Sequence, residues 1–157
     1  MIGPAATLTE IYVDADACPV KDEVMRVAER HGLTVHMVAN SLMRYSTHPG
    51  VNFVVVAEGA DAADDWIAGH IGAQGIAITA DIPLAARCLA AGGRALGPTG
   101  KSFTDDSIGM ALAMRGLKSD LRETGEISCA NPSFTKKDRS RFLETLENTV
   151  QAVRRGA

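Results

Sequence analysis

Three short apolar segments of this chain run directly into acidic residues, and this pattern limits the folds that are open to it. The segments cover residues 11–13, 54–57 and 76–79. Each is followed by aspartate near a point where helical sequence begins, which is typical of a strand that passes into a helix. Repeated alternation of strand and helix favours a parallel sheet with helices on both faces.

Apolar periodicity and turn residues extend this pattern along the whole chain. The predicted strands cover residues 10–14, 34–39, 51–57, 75–79 and 94–96. The predicted helices cover residues 19–31, 61–71, 82–91, 105–123 and 135–150. Together they predict a three-layer α/β sandwich with a mainly parallel sheet of four or five strands. At 157 residues, the chain is expected to form one domain over residues 1–157.

Composition places the protein among ordinary soluble globular chains, with 46% hydrophobic and 22% charged residues. The start of the chain lacks the pattern of a secretory signal, and no segment supplies the ~20 apolar residues of a membrane span. The three cysteines are scattered without a C-x-x-C pair, which argues against structural zinc and favours a reducing compartment. We therefore expect a cytoplasmic protein that does not enter the membrane.

Acidic residues at the strand ends predict a metal site. Asp14 and Asp16 are two apart, so on an extended strand they point to one side. Paired carboxylates need a compensating cation, and Mg²⁺ or Mn²⁺ suits their oxygens. Because the carboxyl ends of parallel strands share one edge, we expect one or two ions there. The candidate metal ligands are Asp14, Asp16, Asp61, Asp64, Asp65 and Asp81, and all of these except Asp64 are also candidate catalytic residues.

A simpler interpretation exists for part of this acidic set. Aspartate is a preferred residue at helix N-caps, where it accepts hydrogen bonds from backbone amides. Asp61 and Asp81 lie where such caps are expected. Capping does not account for the two aspartates on the first strand.

Charge is divided unevenly along the chain. Residues 1–90 carry 5 basic and 11 acidic side chains, whereas residues 91–157 carry 11 basic and 8 acidic ones. An acidic site with a basic flank suits a metal-bound phosphate substrate, although a solvated helix face has the same composition. The candidate substrate-binding residues are Asn40, Ser41, Lys101, Arg115, Arg122 and Arg139.

The segment from Ala95 to Ser102 is similar to a phosphate-binding loop, with alanine in place of the first glycine. Pro98 removes one of the backbone N–H groups that such a loop presents to phosphate. A nucleotide-binding protein that uses Gly97–Ser102 therefore stays open as an alternative.

Several motifs resemble the YaiI/YqxD family of uncharacterised bacterial proteins. They are the D-A-D-A-C-P-V-K of residues 14–21, V-A-N of 38–40, D-A-A-D-D of 61–65, T-A-D-I-P-L-A of 79–85, and D-R-x-x-F of 138–142. The resemblance covers about residues 8–150. It implies a PIN-like domain, a group whose active members are metal-dependent nucleases with acidic residues at the strand ends. By position, Asp14 and Asp16 match the first-strand acid, Asp61, Asp64 or Asp65 the middle acids, and Asp81 the later one.

These observations together predict a Mg²⁺- or Mn²⁺-dependent nuclease that hydrolyses phosphodiesters, with RNA favoured over DNA as substrate. A non-catalytic module that binds metal or RNA is the main alternative. A nucleotide-binding protein that uses the Gly97–Ser102 loop is a further alternative.

Overall fold

The centre of the fold is a sheet in which neighbouring strands pair in parallel. The computed structural model describes residues 9–15, 18–40, 50–56, 62–110, 113 and 135–155. Within those ranges the strands are β1 (Glu10–Asp14), β2 (Val35–Ala39), β3 (Val51–Val55), β4 (Gly75–Ile78) and β5 (Arg94–Leu96). The named helices are α1 (Lys21–His31), α2 (Ala62–His70), α3 (Ile82–Ala90) and α4 (Lys136–Arg154), and residues 105–110 are also helical.

The order of the strands creates a switch point beside β1. The sheet runs β3-β2-β1-β4-β5, so the chain builds outward from β1 to β3 and then returns to the other side of β1. Val13 of β1 pairs with Ile78 of β4, which places the carboxyl ends of these two strands side by side. In open α/β sheets, ligands bind in the crevice at such a reversal of strand order.

Side chains that alternate between the two faces of the sheet divide the core into two layers. Ile11 and Val13 belong to the cluster that holds Val24 of α1 and Phe142 of α4. Tyr12, between them in sequence, belongs to the cluster formed with α2 and α3. Helices thus cover both faces of an all-parallel sheet, which confirms the predicted α/β sandwich.

Helix α1 begins later than its sequence suggests. Pro19 was expected to open the helix, but the first helical residue is Lys21. The Lys21 ammonium donates a hydrogen bond to the Cys18 carbonyl, at 2.8 Å, so the preceding residues form a turn. Val20, the N-cap, offers no side-chain acceptor for the first-turn amides. The other end matches expectation, because Gly32 adopts the left-handed conformation, with φ 67°, that ends a helix.

Helix α4 begins at the predicted capping box. The Thr135 hydroxyl accepts a hydrogen bond from the Asp138 amide, and the Asp138 carboxylate accepts one from the Thr135 amide, both at 3.1 Å. Phe142 and Leu146 are fully buried in the layer shared with α1. Helix α4 is thereby fixed to the same side of the sheet as α1.

Some predictions fall partly or wholly outside the described residues. Of the predicted helix 105–123, the structure describes only residues 105–110 and 113, all helical, and the loops 41–49 and 125–133 are not described. Trp66 of α2 is partly buried against the core layer formed with α2 and α3, and its ring also stacks on exposed His70 with centroids 3.9 Å apart.

Candidate functional site

Two acidic residues meet at the switch point through a buried hydroxyl. The Thr79 hydroxyl donates a hydrogen bond to Asp14 Oδ2 at 3.3 Å. The Thr79 hydroxyl oxygen in turn accepts a hydrogen bond from the Asp81 backbone N–H at 3.0 Å. These three residues, Asp14, Thr79 and Asp81, are called the switch-point site below.

Local sequence explains why each of these side chains lies where it does. Asp14 is the last residue of β1 and, two positions after Tyr12, points to the side of the sheet that α2 and α3 cover. Thr79 follows β4 directly and is only 4% exposed. Asp81 is the N-cap of α3, and its Oδ1 accepts a hydrogen bond from the Leu84 amide at 2.9 Å.

The capping interpretation of Asp81 is therefore correct, but it does not remove Asp81 from the site. The bond to Leu84 uses one carboxylate oxygen, Oδ1. The bond from the Asp81 amide to Thr79 fixes the start of α3 against the end of β1. Asp81 can be both the N-cap of α3 and a member of the acidic site, because α3 begins close to the end of β4.

The acids of α2 lie against α3. Asp65 pairs with Arg87 at 2.9 Å, and both side chains are well exposed. Arg87 lies six residues beyond Asp81, which corresponds to about 9 Å of helix. Asp64 lies near buried Cys88, whose pKa is raised to about 11, mainly by burial and in smaller part by the Asp64 charge. Asp65 is thus engaged by an exposed ion pair with α3.

Other predicted site residues lie outside the described part of the chain: Asp16, Asp61, Ser41, Arg115 and Arg122. Within the residues that the structure does describe, no group of three or more His, Cys, Asp or Glu side chains is arranged to hold a metal. Asp14, through its carboxylate, and Asp81, through its backbone N–H, are the two members of the predicted acidic set that Thr79 connects. The metal-binding role of every acid in the set stays a prediction.

The predicted substrate-binding residues differ in their surroundings. Lys101 is exposed on the loop that follows β5. Arg139 is engaged by protein groups, since its Nη1 donates to the Pro19 carbonyl at 2.9 Å and to Glu23 at 3.2 Å. Asn40 is exposed directly after β2, the neighbour of β1.

The loop after β5 uses its own amides internally. The Gly97 N–H donates to the Lys101 carbonyl at 2.8 Å, and the Gly100 N–H donates to the Gly97 carbonyl at 3.0 Å. Pro98 has no N–H to offer. A phosphate cradle needs several amides aimed at its ligand, so this geometry disfavours nucleotide binding at Gly97–Ser102.

Cysteine chemistry is disfavoured at the switch point as well. Burial raises the pKa of the Cys18 thiol to about 11, and the charge of Asp14 acts in the same direction. A thiol with such a pKa is protonated at neutral pH and is a poor nucleophile. Cys18 is therefore a poor candidate for a nucleophile at this edge of the sheet.

Sequence reasoning missed Thr79. The available signal was its spacing. A Ser or Thr at the end of an apolar strand, two residues before an N-cap aspartate, can accept a hydrogen bond from the backbone N–H of that aspartate. Its bond to Asp14 joins residues 65 apart in sequence, and only the parallel pairing of β1 with β4 brings them together.

Comparison with known proteins identifies relatives over nearly the whole chain. The family model described as "Uncharacterized BCR, YaiI/YqxD family" matches residues 12–152. A UPF0178 protein of Parvibaculum lavamentivorans is 66% identical over 94% of this chain and 97% of its own. Another from Rhodospirillum rubrum is 59% identical over 94% of this chain and 99% of its own. No solved structure matches the chain significantly. No helix in the described ranges is long and apolar enough to cross a membrane.

Proposed function

Because the chain belongs to the YaiI/YqxD family, whose description assigns no activity, we propose its function from the switch-point site: divalent-metal-dependent hydrolysis of phosphodiesters in RNA. The observation that carries the proposal is the linkage of Asp14 to the Asp81 amide through the buried Thr79 hydroxyl. This linkage fixes two acidic residues at the point of the sheet where α/β proteins bind ligands.

The donor atoms at this point fit Mg²⁺ or Mn²⁺. Carboxylate and hydroxyl oxygens are hard ligands, which these ions prefer to nitrogen or sulfur. Asp14 and Asp81 would hold the ion, and Asp16 and Asp61 are the candidates for completing its ligand set. When bound, a divalent cation supplies Lewis acidity and charge neutralisation to a phosphodiester.

Residues of the chain would contribute orientation and charge. The Thr79 hydroxyl holds the Asp14 carboxylate in one orientation, and a fixed ligand costs less entropy to use than a mobile one. Asp81 is held by the first turn of α3 in the same way. Lys101, exposed beside the end of β5, would bind a phosphate that flanks the scissile bond.

A cleavage assay tests this proposal. Purified protein is incubated with a fluorescently labelled single-stranded RNA and Mn²⁺, and the products are resolved by size. We expect cleavage by the wild type, none with EDTA, and at least a hundredfold lower rate for Asp14→Asn and Asp81→Asn. Asparagine keeps the hydrogen-bond acceptor and is itself a good N-cap, so these variants remove charge with little effect on folding.

The matched control is Glu144→Gln, which removes one negative charge from an exposed position on α4. It should cleave at the wild-type rate. Cleavage that persists in both aspartate variants would contradict the proposal. Mn²⁺ binding without cleavage of any RNA would favour the non-catalytic module instead.

A further inference from the structure

Beyond the acidic site, we infer that exposed cations of α4 and the loop after β5 form one surface that binds the backbone of single-stranded nucleic acid without metal. This surface, called the basic rim, consists of Lys101, Lys136, Lys137 and Arg141. The inference rests on the proposed function for the class of substrate. It adds the place where the nucleic-acid strand is held and the side chains that hold it.

A close contact between two distant segments assembles the basic rim. Gly100 is buried against α4, so closely that a Cβ built on it would lie 2.8 Å from the Arg141 carbonyl carbon. Gly100 also has φ +90°, a conformation that side chains other than glycine rarely adopt. Lys101, the next residue, is therefore held beside Arg141, although 40 positions separate them in the sequence.

The charge pattern of α4 is unfavourable for the helix itself. Four of its first six residues are basic, namely Lys136, Lys137, Arg139 and Arg141. Cations near a helix N-terminus are disfavoured by the helix dipole, and like charges four apart, such as Lys137 and Arg141, repel. Asp138 offsets part of this charge, since it closes the capping box and lies 3.7 Å from Arg141. A polyanion that contacts this end of the helix would offset the remaining positive charge.

Two contacts fix the basic rim at the same end of the sheet as the acidic site. The Thr79 amide donates to the Leu96 carbonyl at 3.0 Å, so the loop that leads to Lys101 starts beside the switch-point site. On the other side, Arg139 binds the Pro19 carbonyl, in the segment that follows β1. Arg139 is an anchor for α4 in this arrangement and is not counted in the rim.

The composition of the rim indicates what it recognises. Arg141 keeps about half of its side chain exposed, at 51%, and Lys101, Lys136 and Lys137 are exposed as well. Of the aromatic residues near them that the structure describes, Phe142 is fully buried and Phe103 partly buried, so the described part of the rim presents no exposed aromatic ring for base stacking. Contacts from lysine and arginine alone position phosphates and carry no base sequence. The expected ligand is therefore the phosphodiester backbone, bound in a salt-dependent way.

Fluorescence anisotropy with the whole protein tests the rim separately from catalysis. The probe is a fluorescein-labelled 15-nucleotide oligo(U), titrated in EDTA at several NaCl concentrations. We expect Lys101→Gln and Arg141→Gln each to weaken binding about fivefold at 0.1 M salt, and each to reduce the log–log salt slope by about 0.7. Arg155→Gln is the matched control, because Arg155 is exposed just past the opposite end of α4. It should leave affinity and slope unchanged.

Each possible result separates the rim from the proposed function. Equal losses in Arg141→Gln and Arg155→Gln would indicate attraction by overall charge and would overturn the rim. Oligo(dT) of the same length should bind within about threefold of oligo(U), and binding restricted to RNA would overturn backbone recognition. Cleavage with normal binding in the rim variants would refute only the rim. Rim-dependent binding without cleavage by the wild type would refute only the hydrolase.

Discussion

Replacing Thr79 with valine removes one oxygen from the switch-point site and leaves its shape almost unchanged. That oxygen donates to Asp14 at 3.3 Å and accepts from the Asp81 amide at 3.0 Å. The side chain is only 4% exposed, so water cannot easily replace either bond. Valine should therefore destabilise the protein, although it is the more apolar residue.

The magnitude follows from the two bonds. Each intramolecular hydrogen bond contributes about 1 kcal/mol net, and a buried donor left unsatisfied costs about 1–3 kcal/mol. We expect Thr79→Val to lower the free energy of unfolding by about 2 kcal/mol. With a urea m-value of about 2 kcal/mol/M for a chain of this size, the midpoint falls by about 1 M.

Urea denaturation followed by circular dichroism measures this shift, with Thr79→Ser as the matched control. Serine keeps the hydroxyl and loses only a methyl group, so it should unfold within about 0.5 M urea of the wild type. A valine variant as stable as the wild type would refute the role of the hydroxyl, as would equal losses for serine and valine.

Three further variants test the packing of α4. Gly100→Ala should cost about 2 kcal/mol by urea denaturation, because the new methyl group meets Arg141 in a backbone conformation with φ +90°. Thr135→Ala should cost about 1 kcal/mol in the same assay, through loss of the capping box. A hydrogen bond from Gln151, with further ones from α1, holds the pKa of Glu147 below its usual range. Its contribution is therefore fully present above the ordinary pKa of glutamate and is lost as the pH falls through the lowered pKa, so Glu147→Gln should cost about 0.5 kcal/mol at pH 7 and progressively less as the pH falls through that range.

Most of the fold could be predicted from the sequence because its signals are local. Buried parallel strands appear as short apolar runs, and glycine, proline and aspartate mark where they end. Asp138 and Thr135 show the same principle, since a capping box lies within four residues. The start of α1 was predicted too early because the turn before Lys21 depends on its bond to the Cys18 carbonyl.

The candidate site could be predicted only in part. Asp14 ends β1 and Asp81 lies shortly after β4, and the geometry of a parallel sheet brings strand ends to one edge. The orientation of Asp65 depends on how α2 packs against α3, where Arg87 is available as a partner, and no local pattern encodes that packing. The contact between Gly100 and Arg141 likewise joins elements that are far apart in sequence.

Calorimetric titration with Mn²⁺ tests the central claim most directly, namely that Asp14 and Asp81 form a site for a divalent cation. Wild-type protein and Glu144→Gln should bind Mn²⁺ with the same affinity. Asp14→Asn and Asp81→Asn should each bind it at least tenfold more weakly while keeping the wild-type urea midpoint within about 0.5 M. Equal Mn²⁺ affinity in all four proteins would contradict the claim.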